Sequence, residues 1–460
     1  MARSNHIAMN RTSLFAACGL AALVSCANEP AGAKKEAASA DVKILENLTL
    51  IDGTGKPAAP GSTIVVTDGK ITYAGPAAGA PAAPAGAVRT DLAGKFAMPG
   101  IINLHAHLGN VKGVKQDQTF YTRENLMKQL GAFARYGVTT AVSMGSDTDL
   151  IFDVRKEQRA GRPTTTRVFT AGRGFTGAQG YPSTMPGMKG VPYEVTKNEE
   201  VEKDVAENAA KKPDLTKIWV DDHLGKEKKI SIELCKAIID NARKHGLNTA
   251  AHIFYHDDAL KLSEAGLYAF AHSVRDKPVN QELIDMAKKK GTWQIPTLTR
   301  EISTFVYAKP HAFLKDEFLL RGADPEAVAG VQTPEFMNRQ ANDKNLAKYP
   351  VFLKTAQSNL KKLADSGVKI GFGTDTGPPG RFSGYFEHWE MELMAEAGLT
   401  PMQIVQSFSA GAAEYLGATD LGTLEVGKWA DLVVLGKNPL DDIKNTRTIE
   451  LVMIAGNKVN

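Results

Sequence analysis

Between residues 98 and 420, short apolar runs alternate with longer amphipathic stretches, and this alternation restricts the chain to a parallel α/β architecture. The apolar runs fall at 101–107, 139–145, 167–172, 217–221, 248–253, 269–273, 293–298 and 369–375. Helical patterns fall at 123–136, 197–211, 231–245, 256–265, 279–290, 351–366 and 401–417. Eight strands with crossover helices predict a (β/α)8 TIM barrel. A doubly wound open sheet is the rival, but it gathers its site at one switch point. Candidate ligands here end many different strands, which favours closure. The stretch 299–350 is long for a βα loop and weakly periodic, so it is expected to be a lid or pocket wall. Its Phe305, Tyr307 and Phe313 either shape the pocket or simply pack the lid.

The flanks read as β structure. Runs at 48–51, 62–66, 70–74 and 88–92 are punctuated by Asp52-Gly53 and Asp68-Gly69. About fifty residues are few for an independent core. Matching runs at 429–435 and 451–459 supply the rest. Residues 41–97 and 421–460 are therefore expected to form one small composite β-sandwich, with the barrel of 98–420 inserted between them.

The N-terminus reads as a targeting segment. Arg3 and Arg11 flank an apolar stretch, 14–24, of signal-peptide length and too short to span a membrane comfortably. It ends in Leu23-Val24-Ser25-Cys26, which resembles a bacterial lipobox. This predicts a signal peptide over 1–25, a lipid anchor at Cys26 and a flexible tether over 26–40. The expected location is the outer membrane, facing the periplasm; a plain cleaved signal and a soluble periplasmic protein form the alternative. Cys18 would then be discarded and Cys26 acylated, leaving Cys235 as a buried small hydrophobe in a helix with no disulfide partner. The formal charge is only +4, and no dense Lys/Arg stripe interleaves with aromatics, so nucleic acid is excluded as a partner.

The chemistry concentrates at the strand ends. His105 and His107 are two apart, so an extended strand aims both the same way. Asp375 closes Gly371-Phe372-Gly373-Thr374, where a carboxylate reaches a mouth rather than a core. It can ligate a metal and accept a proton. His252 and His272 end two strands separated by one helix, so they are neighbours. Imidazoles with a carboxylate suit a hydrolytic metal such as zinc. Lys217 is the odd member: a free ammonium repels metals, whereas carboxylation by carbon dioxide would make it an anion able to bridge two.

Met98-Pro99-Gly100 through His105-Ala106-His107, Thr216-Lys217-Ile218, Ala251-His252, Ala271-His272-Ser273, Gly373-Thr374-Asp375 and the tail 422–433 together resemble the amidohydrolase superfamily. The similarity is strongest to its imidazolonepropionase-like and Xaa-Pro or Xaa-Arg dipeptidase-like bacterial members. The resemblance implies two divalent metals, most commonly zinc. His105 and His107 would hold the more buried one, His252 and His272 the other, and carboxylated Lys217 would bridge them. Asp375 would bind the first metal and act as base. Around the pocket the chain departs from the family: Arg173, His256 and Arg275 are candidate substrate contacts, and Tyr255 is a candidate oxyanion donor. The implied reaction is hydrolysis of a C–N amide bond in a dipeptide or N-acyl amino acid. Cyclic amides, imides, esters and lactones form the alternative, and a non-catalytic binding lipoprotein is the minor one. The expected partners are a small amide or short peptide substrate, with a homo-oligomer left open.

Overall fold

The computed structural model describes residues 41–459. The expected parallel strands form at Ile101–Ala106, Val138–Ser143, Arg167–Thr170, Thr216–Trp219, Thr249–His252, Ala269–Ala271 and Trp293–Ile295. Ile101–Ala106 pairs with Val138–Ser143, which pairs with Arg167–Thr170. Past Thr170 the chain continues into a short strand, Phe175–Gly177, that pairs with Thr216–Trp219 through Phe175 and Ile218. Pairing then proceeds through Thr249–His252 and Ala269–Ala271 to Trp293–Ile295. The fold is thus mixed α/β with consecutive parallel strands.

The eighth expected strand, 369–375, is a correction. It forms no continuous ladder, only isolated parallel bridges from Ile370 to Gln294 and from Thr376 to Ala106. Its backbone still bonds both neighbours: Gly371 N donates to Gln294 O at 2.8 Å, and Leu104 N donates to Phe372 O at 2.8 Å. Glycine permits this approach. A Cβ on Gly373 would lie 2.6 Å from Ile295 Cγ2 and 2.9 Å from His105 Cβ. Gly373→Ala is therefore expected to destabilise the fold by about 1–3 kcal/mol through overpacking, read as a lowered midpoint in urea with unchanged slope.

Alternate residues of the strands enter different layers. Ala250, Ala269 and Ala271 join Ile102, Leu104, Val142 and Ile295 in one apolar cluster. Ala251 and Phe270 instead pack with Ile238, Ile239, Leu262 and Ile284 from the crossover helices Ile232–Lys244, His256–Glu264 and Gln281–Lys290. Cys235 is buried in the first of these helices.

One helical expectation changes, and the expected lid or wall at 299–350 acquires secondary structure. The pattern at 401–417 splits into Pro401–Phe408 and Ala410–Leu416 at Ser409, whose backbone leaves the helical region. The 299–350 stretch is not a loop but a run of short helices, including Leu298–Ser303, Pro325–Gly330 and Pro334–Ala341. Tyr307 and Phe313 are buried there, and Phe305 packs against the same core.

Both ends of the described chain meet in one eight-stranded sheet. Val42–Leu50 pairs with Ala59–Thr67 and Phe96–Pro99, and the latter pairs antiparallel with Leu432–Leu435. The hairpin Ile449–Ile454 and Asn457–Lys458 forms the far edge. The lipobox, Cys26 and the tether lie outside the described residues. No helix among the described residues is long and apolar enough to cross a membrane.

Candidate metal centre

Each candidate ligand is aimed by a local departure from regular structure. In the pairing of Ile101–Ala106 with Val138–Ser143, Asn103 faces Ala141 and Ala106 faces Ser143, so three steps oppose two. This bulge falls at His105, and bulges re-aim side chains in this way. His272 follows Phe270 by two, and regular alternation would send it toward the helices. Its φ of 152° breaks the alternation. Asp375 has φ 60°, and its N–H and that of Thr374 both reach His105 O, at 2.8 and 3.3 Å. Strained backbone persists where surrounding contacts over-determine it, and functional sites are where it clusters.

The six expected ligand residues come together. His107 Nε2 lies 3.0 Å from Asp375 Oδ1, and His105 Nε2 lies 3.5 Å from the same oxygen. Lys217 Nζ is 3.3 Å from His105 Nε2. Ring centroids of His105 and His272 are 4.7 Å apart, and those of His252 and His272 are 4.2 Å apart. Ligand atoms of His105, His272 and Asp375 all fall within 4.8 Å of one another.

This donor set fits a cation. Burial, with help from Lys217, holds His105 well below the ordinary imidazole range. Burial and the neighbouring histidines do the same to His272, and burial pushes His252 down to about 3 despite Asp221. Neutral imidazoles thus turn lone pairs toward one small space, and His105 Nδ1 is buried with no hydrogen-bond partner. For Asp375, burial alone would raise the carboxyl. The Arg381 guanidinium, His105 and His107 outweigh it and hold the group ionised. Lys217 is fully buried, and that burial brings it down to about 7 against the pull of Asp375.

Supporting residues fix the rings. Asp221 Oδ2 lies 2.7 Å from His252 Nε2, Thr297 Oγ1 2.6 Å from His272 Nδ1, and Ser146 Oγ 3.0 Å from His107 Nδ1. Each of these rings keeps its second nitrogen outside that bond. The helix Tyr385–Glu396 braces the floor. Glu387 accepts from Asn103 Nδ2 at 2.6 Å and from the Thr374 and Thr376 hydroxyls, both at 2.8 Å. Glu390 accepts from the N–H groups of Leu298 and Thr299, both at 2.7 Å. Asp221→Asn is expected to weaken metal binding by about 10–100-fold, as loss of an orienting partner does. A competitive chelator titration of the purified variant measures this.

The four pocket candidates each have local partners. Tyr255 donates to Asp222 Oδ1 at 2.8 Å and lies under Lys229. Arg173 donates to Val191 O at 2.7 Å and stacks over Tyr193. His256 bonds Asp257 and Asn280. Arg275 is fully buried, donates to Ile253 O and Ser273 O, both at 2.8 Å, and lies 2.8 Å from Glu301. Tyr255 thus spends its hydroxyl proton locally, whereas Nη2 of Arg275 is buried with no hydrogen-bond partner.

The cavity at the mouth, of about 260 Å³, is walled instead by Tyr181, Asp221, His223, Arg300, Tyr349 and Arg381, among others. The Tyr181 ring is 4.0 Å from His223 and 5.3 Å from His252. Burial pushes Tyr181 up to about 12, so it stays a donor. Asp221 follows Lys217 by four along an extended run, a signal that could have revealed it. Tyr181, His223 and Arg381 lie in loops and Arg300 and Tyr349 in helices, and none carried a local signal.

A sequence model of the Amidohydrolase family matches residues 96–459. Ochratoxinase of Aspergillus niger is 25% identical over 217 residues, 46% of this chain. The match spans only 38% of that curated relative's length. Imidazolonepropionase of Mycolicibacterium smegmatis is 24% identical over 398 residues, 81% of this chain and 84% of the relative. A solved structure of a prolidase candidate from Bifidobacterium longum is similar with a TM-score of 0.72 at 26% identity, over 91% of this chain and 94% of that one.

Proposed function

This chain belongs to the amidohydrolase family and is a hydrolytic enzyme, and from that premise we propose that it cleaves a C–N amide bond in a dipeptide or N-acyl amino acid at a two-metal centre. One observation carries the reading: Lys217, His105, His252, His272 and Asp375 are buried and His107 nearly so, and the six lie against one another. His105, His107 and Asp375 would hold one ion and His252 and His272 the other, with Lys217 between them. When bound, such ions lower the pKa of water and polarise the substrate carbonyl. Zinc suits the donors.

The chain's own groups supply the rest. Asp375 is the ionised acceptor at the site; it takes the proton of the attacking water and returns it to the leaving nitrogen. Tyr181, held protonated, is placed to donate to the oxyanion in the role first assigned to Tyr255. Asp221, Thr297 and Ser146 hold the imidazoles in one orientation. Lys217 at neutral pH is partly uncharged amine. That form adds to carbon dioxide, forming an N–C bond and releasing one proton, to give a carbamate.

We also read 98–420 as a closed (β/α)8 barrel and 41–97 with 421–460 as the β-sandwich. Residues 1–25 are read as a signal and Cys26 as the lipid anchor of a periplasm-facing protein. A panel of dipeptides, N-acyl amino acids, cyclic amides, esters and lactones tests the activity on the zinc-loaded protein. Release of amine from open amides, abolished by chelation, supports the reading. Turnover confined to esters or lactones, or no turnover at all, overturns the amide assignment.

A further inference from the structure

We propose that Arg300 and Arg381 form a carboxylate subsite in the mouth cavity, so that the substrate is an anionic amide with its free carboxylate near the scissile bond. The proposal rests on reading this cavity as the substrate cavity, and it deepens that reading by naming the charge the substrate carries.

Lys226, Arg300 and Arg381 line the cavity with Asp221, Glu301 and Asp343, and it is the guanidinium donors, not a surplus of charge, that are left over. Glu301 is one carboxylate shared by two guanidiniums, 2.8 Å from Arg275 Nε and 2.9 Å from Arg300 Nη1. Among the described residues, the other side-chain donors of Arg300 have no hydrogen-bond partner. Arg381 donates through Nε to Ser303 Oγ at 3.0 Å and through Nη1 to Asp375, leaving Nη2 without a partner among the described residues. Lys226 lines the same wall.

The remaining acids are engaged. Asp221 receives His252 at 2.7 Å and the His223 N–H at 2.9 Å. Asp343 receives the Tyr349 hydroxyl at 2.9 Å and the Asn345 N–H at 2.8 Å. One fork of unused donors, on Arg300, and the Nη2 of Arg381 therefore open on one cavity. A planar carboxylate matches such a fork with paired hydrogen bonds, strengthened where water is excluded.

The volume, about 260 Å³, has room for a group of amino-acid size. Tyr181, Phe254, Tyr349 and Phe352 give that group aromatic walls.

Calorimetry on the zinc-loaded protein tests the proposal with 3-phenylpropanoate and its neutral counterpart 3-phenylpropan-1-ol, neither of which contains an amide. The carboxylate is expected to bind at least about tenfold tighter than the alcohol, and Arg300→Gln to remove at least about tenfold of that affinity. Arg300→Lys, which keeps charge but loses the fork, is expected to fall between them. Equal binding of acid and alcohol by the unaltered protein overturns the proposal without any variant having to fold. So does undiminished carboxylate binding by folded Arg300→Gln, since the anion would then be held by the metals alone. Failure to hydrolyse amides would refute the proposed activity and leave this binding result standing.

Discussion

Asp375→Asn is expected to lower kcat by about 10²–10⁴-fold while metal content stays close to that of the unaltered protein. The asparagine oxygen can still face a cation, but the side chain has lost its ionised acceptor. In the structure that acceptor is held charged by Arg381, His105 and His107 against the opposing effect of burial. It is fixed from below by backbone bonds to His105 O and by the Thr374–Glu387 network. Because the carboxylate is pinned on several sides, the substitution changes chemistry more than shape. Steady-state kinetics with metal analysis on the same sample separates the two. A variant within tenfold of the unaltered rate, at equal metal content, would assign the base elsewhere.

Lys217→Ala is expected to lose one of two metals and about a thousandfold in rate, with partial recovery in millimolar propionate. Lys217 has no exposed surface, and its amine lies 3.3 Å from His105 Nε2. An ammonium there would stand among groups that would hold cations. Burial brings it down to about 7, which leaves uncharged amine available to carbon dioxide. Truncation to alanine opens a cavity of side-chain length, and a short carboxylate placed in it restores the bridging anion. Loss of activity with no recovery by any short carboxylate would leave Lys217 a structural amine. Full activity in Lys217→Ala would remove it from the centre altogether.

The strand ends were legible because parallel strands buried on both faces read as unbroken apolar runs, and histidines that terminate them stand out. His105, His107, His252, His272 and Asp375 were read this way, whereas Lys217, at the start of its run, took its role from the resemblance; all six lie together in the fold. The reasons they point inward were not legible. The bulge at His105, the φ of 152° at His272 and the φ of 60° at Asp375 are set by long-range pairing. Eight runs also suggested eight strands, yet the last approaches its neighbours too closely, and with too many glycines, to keep a ladder.

The pocket was hardest to read. Tyr255, His256 and Arg275 were chosen for closeness in sequence to a ligand and Arg173 for its place after the third strand, but a residue near a site in sequence can turn away and bond locally. Arg300 and Arg381 lie after other strands, and nothing in their local pattern separates them from surface arginines. Glu387 and Glu390 resemble the solvated face of an ordinary helix. They are buried because the backbone of 298–299 and the threonines near Asp375 need acceptors.

The most direct measurement is anomalous diffraction at the zinc edge from crystals of the protein grown with zinc and bicarbonate. The account predicts two peaks a few ångströms apart, one against His105, His107 and Asp375 and one against His252 and His272, with branched density extending Lys217 between them. A single peak, or none among these side chains, would contradict the two-metal centre on which the proposed reaction rests.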